Sequence, residues 1–314
     1  MSKFFVVGDV TVDQMYFVHE LPEAGGEVTA LRAVMEPGGA GGTIATALAR
    51  LGHSVSVATR VGTGPFSELA LKYVREEGVD LSLIQTDTHM QTSSVTLLIT
   101  PDTQRTMISA AGASRHLDSA GLSPTQVQSC DALVMSAYSL IGGRQREYAV
   151  RALEYAKGFG LTTFVDLGTG AVNALQDRLI SLVREVDYLL MNEKELYTLT
   201  GEFSISDAVS GLKQHGVERL VVKVGEMGSI VITPELTELV EAYDIDGVVD
   251  TTGAGDYYTA AFAHGIMKGY DLLYAARLGN VAGALNTTRV GAQSIVIDAD
   301  MIEDYAAEMT KVES

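Results

Sequence analysis

Val248-Val249-Asp250-Thr251-Thr252-Gly253-Ala254-Gly255-Asp256, followed at once by Tyr257-Tyr258-Thr259-Ala260-Ala261-Phe262-Ala263, sets a glycine turn between an apolar pair and a helix-forming run. Glycines at a strand-to-helix turn let the backbone approach a ligand closely, and the first helical N–H groups point out unpaired. Such a turn gathers donors at the positive end of the helix, an arrangement that suits phosphate. The carboxylate of Asp256, beside those donors, is placed to take a proton from an attacking hydroxyl. The competing reading is a plain helix N-cap, because Asp caps helices routinely. The rest of the chain decides between them.

Working outward, short apolar runs alternate with helical patterns. Residues 4–7, 55–59, 132–135, 162–165, 187–191 and 219–224 read as strands, and 43–51, 69–77 and 145–159 as helices. From about residue 259 to 290 an Ala-rich helical stretch takes over. Alternation at this spacing predicts an α/β fold with a parallel sheet covered by helices on both faces. Two segments, approximately 14–36 and 91–109, break the rhythm: they are extended, rich in β-branched residues and lack helical periodicity. They are expected to pair as a small second sheet inserted into one domain spanning residues 1–314.

Composition narrows the function. With 46% hydrophobic residues, the 314-residue chain can bury one large core. A formal charge of −18 argues against nucleic-acid backbones and anionic membranes as partners, and obliges a phosphorylated ligand to be held by local donors or metal ions. No apolar run approaches the roughly 18 residues that span a bilayer, so the expected location is cytoplasmic. The lone Cys130 excludes an internal disulfide and reads as inert packing, and the six His residues form no HxH or HExxH pattern.

The glycine turn resembles the C-terminal signature of the ribokinase-like (PfkB) carbohydrate kinases, whose pattern is D-T-x-G-A-G-D. A second signature of that family, a glycine pair opening a helix that ends in A-x-x-L-G, is matched by Gly38-Gly39-Ala40-Gly41-Gly42-Thr43-Ile44-Ala45-Thr46-Ala47-Leu48-Ala49-Arg50-Leu51-Gly52. A third, N-x-x-E, is matched by Asn192-Glu193-Lys194-Glu195. The resemblance implies a three-layer α/β/α sandwich with a mostly parallel central sheet and a small β lid. It also implies ATP-dependent phosphoryl transfer to a hydroxyl of a small sugar or polyol. Asp256 would be the base, and Gly253, Ala254 and Gly255 the anion hole. Asn192 and Glu195 would organise Mg²⁺ through water. Lys223, Gly225 and Gly228 fall in the family's nucleotide loop, and Asn280 where its adenine pocket is lined. Alternation along an extended segment puts Asp9, Thr11 and Asp13 on one face. The family's sugar-binding Asp corresponds to Asp13, with Gly38, Gly39 and Thr43 beside the substrate. Asp250, Thr252 and Ser294 fall in its monovalent-cation loop, which would take K⁺.

Departures bear on the substrate. Thr11 and Thr43 stand where many sugar-binding members carry Asn, which puts ribose itself in doubt, since a hydroxyl offers less hydrogen bonding than an amide. Of the family's D-x-N-x-R, only Asp166 remains. Arg105 is either a surface residue or a contact for an anionic group on the substrate. A nucleoside kinase on the same scaffold, with Tyr16, Phe17 and Tyr138 as a slot for the base, is one alternative; a non-catalytic sugar- or nucleotide-binding regulator is another. Exposed edges on the inserted strands predict a homodimer formed through the lid.

Overall fold

The structure, a computed structural model, describes residues 1–102 and 105–312, with backbone alone for 310–312. Thirteen strands are found among the described residues: β1 (Lys3–Val7), β2 (Thr11–Phe17), β3 (Arg32–Gly38), β4 (Ser54–Val61), β5 (Ile84–Thr86), β6 (Ser94–Ile99), β7 (Arg105–Ala110), β8 (Ala132–Ser136), β9 (Thr162–Asp166), β10 (Tyr188–Asn192), β11 (Leu220–Lys223), β12 (Ser229–Ile232) and β13 (Thr237–Val240). Nine form the central sheet in the order β13-β12-β11-β10-β9-β8-β1-β4-β5. All its pairings are parallel except β11 with β12 and β12 with β13. Alternate residues of one strand enter opposite cores: Phe4 and Val6 face one apolar cluster, Phe5 and Val7 the other. Both faces are therefore buried under helices, which is why these strands read as unbroken apolar runs.

From β1 the chain passes to β4 and β5 on one side and later to β8, β9, β10 and β11 on the other. That reversal leaves a crevice at the C-terminal ends of β1 and β8, where open α/β sheets bind ligands. The small sheet has the order β3-β2-β6-β7, and its strand β2 follows the C-terminal end of β1 after three residues. Its first strand starts at Thr11, ahead of the expected residue 14, so the turn holding Asp9 leads straight into it. Residues 103–104 of the second expected insertion lie outside the described residues. The expected helix 69–77 is instead two short ones, Pro65–Ala70 and Lys72–Glu76, interrupted at Leu71. No described helix is long and apolar enough to cross a membrane. Cys130 precedes β8, its thiol donates to Gln126 O at 3.5 Å, and burial holds its pKa up, which keeps it a poor nucleophile.

Gly41 fixes how the helix Ala40–Arg50 meets the end of β1. A Cβ at Gly41 would lie 2.4 Å from the Gly8 carbonyl carbon, a backbone-to-backbone contact that no rotamer change relieves. Gly41→Ala is therefore expected to lose about 3 kcal/mol of stability through overpacking, read as a lowered thermal midpoint. An unchanged midpoint would refute the close crossing.

Candidate active site

The glycine turn does open a helix, Ala254–Lys268. Gly253 takes φ 83°, a left-handed conformation that costs glycine little, and a Cβ there would meet Ala292 at 2.8 Å. The amide of Ala254 bonds Thr251 O and that of Tyr257 bonds Gly253 O. Among the described residues, no protein acceptor is found for the amides of Gly253, Gly255 and Asp256. Those N–H groups, at the positive end of a 15-residue helix, are what an anion site requires.

The turn is stapled from behind. Asp250 Oδ1 accepts from Thr252 N (2.9 Å) and Thr252 Oγ1 (2.6 Å), and its Oδ2 accepts from Gly291 N (2.9 Å). Arg105 Nη1, from the first residue of β7, donates to Thr252 Oγ1 at 2.9 Å, and Ser294 Oγ donates to Gly291 O at 3.2 Å. These bonds join Asp250, Thr252 and, through Gly291, Ser294, the residues expected at a K⁺ site.

Four carboxylates crowd the floor of the crevice: Asp256, Asp166, Asp13 and Glu195. Burial lifts the Asp256 pKa to about 7, with Asp166 adding repulsion, Lys223 opposing, and Asp13 and Glu195 contributing less. Burial likewise lifts Asp13 to about 6, against its bond from Thr11 Oγ1 (2.9 Å), with Asp250 adding repulsion. Glu195 is raised by burial first. Burial works against the Lys223 ammonium, but Asp166 and Glu195 outweigh it and hold its pKa above the usual value. Lys223 is thus a charged, mostly buried residue whose Nζ lies 2.7 Å from Asp166 Oδ1. It is not a solvated side chain at a strand end.

Asn192 and Glu195 form a reciprocal cap on the helix Glu193–Thr200: Asn192 Oδ1 accepts from Glu195 N (2.8 Å), and Glu195 Oε2 accepts from Asn192 N (3.0 Å). Glu195 Oε1 accepts from Thr169 Oγ1 at 3.2 Å. Among the described residues, no group of three or more His, Cys, Asp or Glu is arranged to hold a metal ion. The surplus of carboxylates nonetheless suits a hydrated Mg²⁺, which keeps several waters and takes few protein ligands.

On the substrate side, Asp13 is 5% exposed and sits against Gly38, where a Cβ would come within 2.2 Å of its carboxylate. Gly39 lets the chain pass Asp9 O, which a Cβ there would meet at 2.4 Å. Asp9 is tied to Gln145 Nε2, a partner sequence reading missed because it lies 136 positions away. Thr43 does not face the crevice as expected. It is fully buried, its hydroxyl bonded back to Gly39 O at 3.1 Å. Tyr16 and Phe17 point to opposite faces of β2, with Phe17 on the face of Asp13. The expected slot of Tyr16, Phe17 and Tyr138 is therefore split. Phe17, Ile99, Arg105 and residues 248–251 line a cavity of about 60 Å³. Tyr138 packs on Gly168 and Gly170, accepts from Gly170 N at 3.4 Å, and feels the charge of Glu195 and Asp256.

On the nucleotide side, Gly225 and Gly228 bound the turn between β11 and β12. At Gly228 (φ 102°) a Cβ would lie 2.1 Å from Val240 O. Asn280 is buried, and its amide N–H groups hold Val240 O (3.0 Å) and Glu241 O (2.9 Å). It fixes the chain leaving β13.

Residues 1–299 match the pfkB family of carbohydrate kinases. The chain is similar to ribokinase of Haemophilus influenzae, 26% identical over 298 residues that cover 93% of this chain and 94% of that one. It is also similar to 5-dehydro-2-deoxygluconokinase of Clostridium tetani, 28% identical over 263 residues covering 79% and 77%. Arabidopsis thaliana ribokinase, solved in complex with ribose and ATP, shares the fold with a TM-score of 0.83 at 23% identity, covering 97% of this chain and 98% of that one. A signature turn at a helix start, a carboxylate beside it and a family match over 299 residues agree: the chain belongs to the pfkB family of carbohydrate kinases.

Proposed function

We propose that the protein transfers the γ-phosphoryl group of ATP to a hydroxyl of a small sugar or sugar-like alcohol. The observation that carries this reading is the pairing of free helix-terminal N–H groups with a carboxylate whose pKa lies near 7. Phosphoryl transfer needs mainly positioning and charge neutralisation, and a base poised near the working pH. The acceptor hydroxyl lies in line with the γ-phosphate, Asp256 takes its proton, and the amides of the Gly253–Gly255 turn hold the oxygens of the transferring group. Asp13, Gly38 and Gly39 bound the acceptor, with Asp9 and Thr11 holding that turn in shape. Asn192 and Glu195 would hold the water shell of Mg²⁺, which supplies charge neutralisation for the ATP phosphates. The small sheet serves as a lid that excludes water, so the phosphoryl group passes to the acceptor alcohol and not to water. All these steps suit a cytoplasmic enzyme.

The reading is tested by an ADP-release screen with MgATP against pentoses, hexoses, ketoses, aldonates, inositols and nucleosides. Release stimulated by a sugar or polyol is expected. Stimulation by nucleosides alone would move the assignment to a nucleoside kinase, and no stimulation by any of them, with ATP still bound, would leave a binding protein.

A homodimer through the small sheet follows from its edges. Every residue of β7 is exposed, and Leu31, Met35, Met107 and Ile108 present apolar surface on or beside the two outer strands. Light scattering is expected to give twice the 33.4 kDa chain mass; a monomer at micromolar concentration would refute it.

A further inference from the structure

We propose that Lys223 and Asp166 form a positioning clamp that holds the first turn of the helix Ala254–Lys268, and with it the anion-hole amides and the Asp256 carboxylate, against the C-terminal edge of the central sheet. The inference rests on the roles given above to Asp256 and the glycine turn.

What carries it is a closed ring of contacts. Asp166 ends β9 and Lys223 ends β11, with β10 between them, where Leu190 pairs with Asp166 and Asn192 with Lys223. Lys223 Nζ reaches across to Asp166 Oδ1 at 2.7 Å. The other oxygen, Oδ2, accepts from Thr259 Oγ1 at 2.8 Å, and Nζ also lies 3.5 Å from Gly255 O. Gly255 and Thr259 are one helical turn apart, so the ring closes through the helix backbone. A Cβ at Gly255 would come within 3.2 Å of Nζ, which places the ammonium directly under the anion-hole glycine.

A buried ion pair adds little net stability, because desolvation offsets the Coulomb attraction, but breaking one side leaves an uncompensated charge. Set beneath the reacting groups, such a pair acts mainly by fixing position. A displacement of about 1 Å there is enough to cost roughly 100-fold in rate. The charged and titratable groups around Asp256 are Asp166 on β9, Lys223 on β11, Asp13 on β2, Glu195 at the start of the helix Glu193–Thr200, and Tyr138 after β8. Lys223 is the cation of this set, so removing it and removing Asp166 act on Asp256 in opposite senses.

The test measures kcat against pH for wild type, Lys223→Met, Asp166→Asn and Lys223→Arg, using MgATP and the sugar that gives the fastest ADP release in the panel. The first two variants are expected to lose about 100-fold in kcat while KM stays within severalfold. The acid limb is expected at higher pH in Lys223→Met and at lower pH in Asp166→Asn, with Lys223→Arg recovering most of the activity. A role in folding alone would move neither limb. Limbs that stay in place or shift together, or an undiminished kcat, would overturn the clamp. Should Lys223→Met fail to fold, Thr259→Val removes one bond and no charge; it is expected to lower kcat about tenfold with KM unchanged, and a normal kcat there overturns the clamp equally. Asp256→Asn, assayed beside them, separates the two ideas. Turnover in that variant removes the base itself, whereas a dead Asp256→Asn with unmoved limbs removes only the clamp.

Discussion

Asp256→Asn is expected to lower kcat at least ~100-fold, by the usual size of general-base effects, and at the same time to raise the melting temperature. Asparagine keeps the shape of the side chain but cannot accept the hydroxyl proton, so ligand binding persists while turnover is lost. The stability gain follows from linkage. The Asp256 pKa is raised from 3.8 to about 7, so its protonated form suits the fold. That contribution is complete below pH 3.8 and is lost as pH rises through 7, leaving the ionised carboxylate as a burden on the fold at pH 8. The full shift corresponds to roughly 4 kcal/mol, and because Asp256 is part-exposed, about half of that is expected on substitution. Differential scanning calorimetry of the apo protein at pH 8 should show a rise of roughly 4 °C, shrinking toward pH 5. Turnover within tenfold of wild type would remove Asp256 as the base. A lowered midpoint would contradict the burden assigned to its charge.

That the glycine turn and the helix it opens were legible from residues 250–256, while their support was not, has a physical reason. Glycine conformation and a helix start are local properties, written in a few consecutive residues. The clamp beneath joins Asp166 to Lys223 and Thr259, 57 and 93 positions away, and no periodicity connects them. One signal was available: Thr259 lies four residues after Gly255, which places both on one face of the helix. Strands β1, β8, β9, β10 and β11 were readable because burial on both faces makes them apolar throughout. β13 was not, because three of its four residues are exposed, and its pairing with β12 is set by partners rather than pattern. The part that Thr43 and Asn280 play in the fold was not legible for a related reason. Their polar groups satisfy buried carbonyls, an obligation of the fold that sequence cannot distinguish from an offer to a ligand.

A second large effect is expected at the opposite, N-terminal edge of the sheet, where His53 Nε2 and His264 Nδ1 lie 2.8 Å apart, His264 fully buried. Ser2 N donates to His53 Nδ1 at 3.2 Å, so neutral His53 carries its proton on Nε2 and donates to His264, whose own proton then sits on Nε2, 3.8 Å from Glu303 Oε1. A further proton would set two N–H groups face to face. Burial lowers both pKa values to about 4, with Lys268 and the N-terminal amine adding repulsion in each case and His264 adding its own on His53. Because these folded values lie below the unfolded 6.5, the unfolded chain binds the extra protons, and stability falls as pH drops from 6.5 toward 4. The loss attributable to the pair is about 3 kcal/mol between pH 7 and pH 5. Asp13 and Asp256 act with the opposite sign, since their raised pKa values favour the fold as pH falls, so the wild-type curve alone shows only a difference. The histidine part emerges against a His53→Phe/His264→Leu double variant, which replaces both partners by apolar groups and strands neither polar side chain. Urea denaturation at the two pH values should show the wild type losing about 3 kcal/mol more than the double variant, by the same linkage. Equal losses would mean that the two rings do not resist protonation, and that the acid sensitivity of the fold has another source.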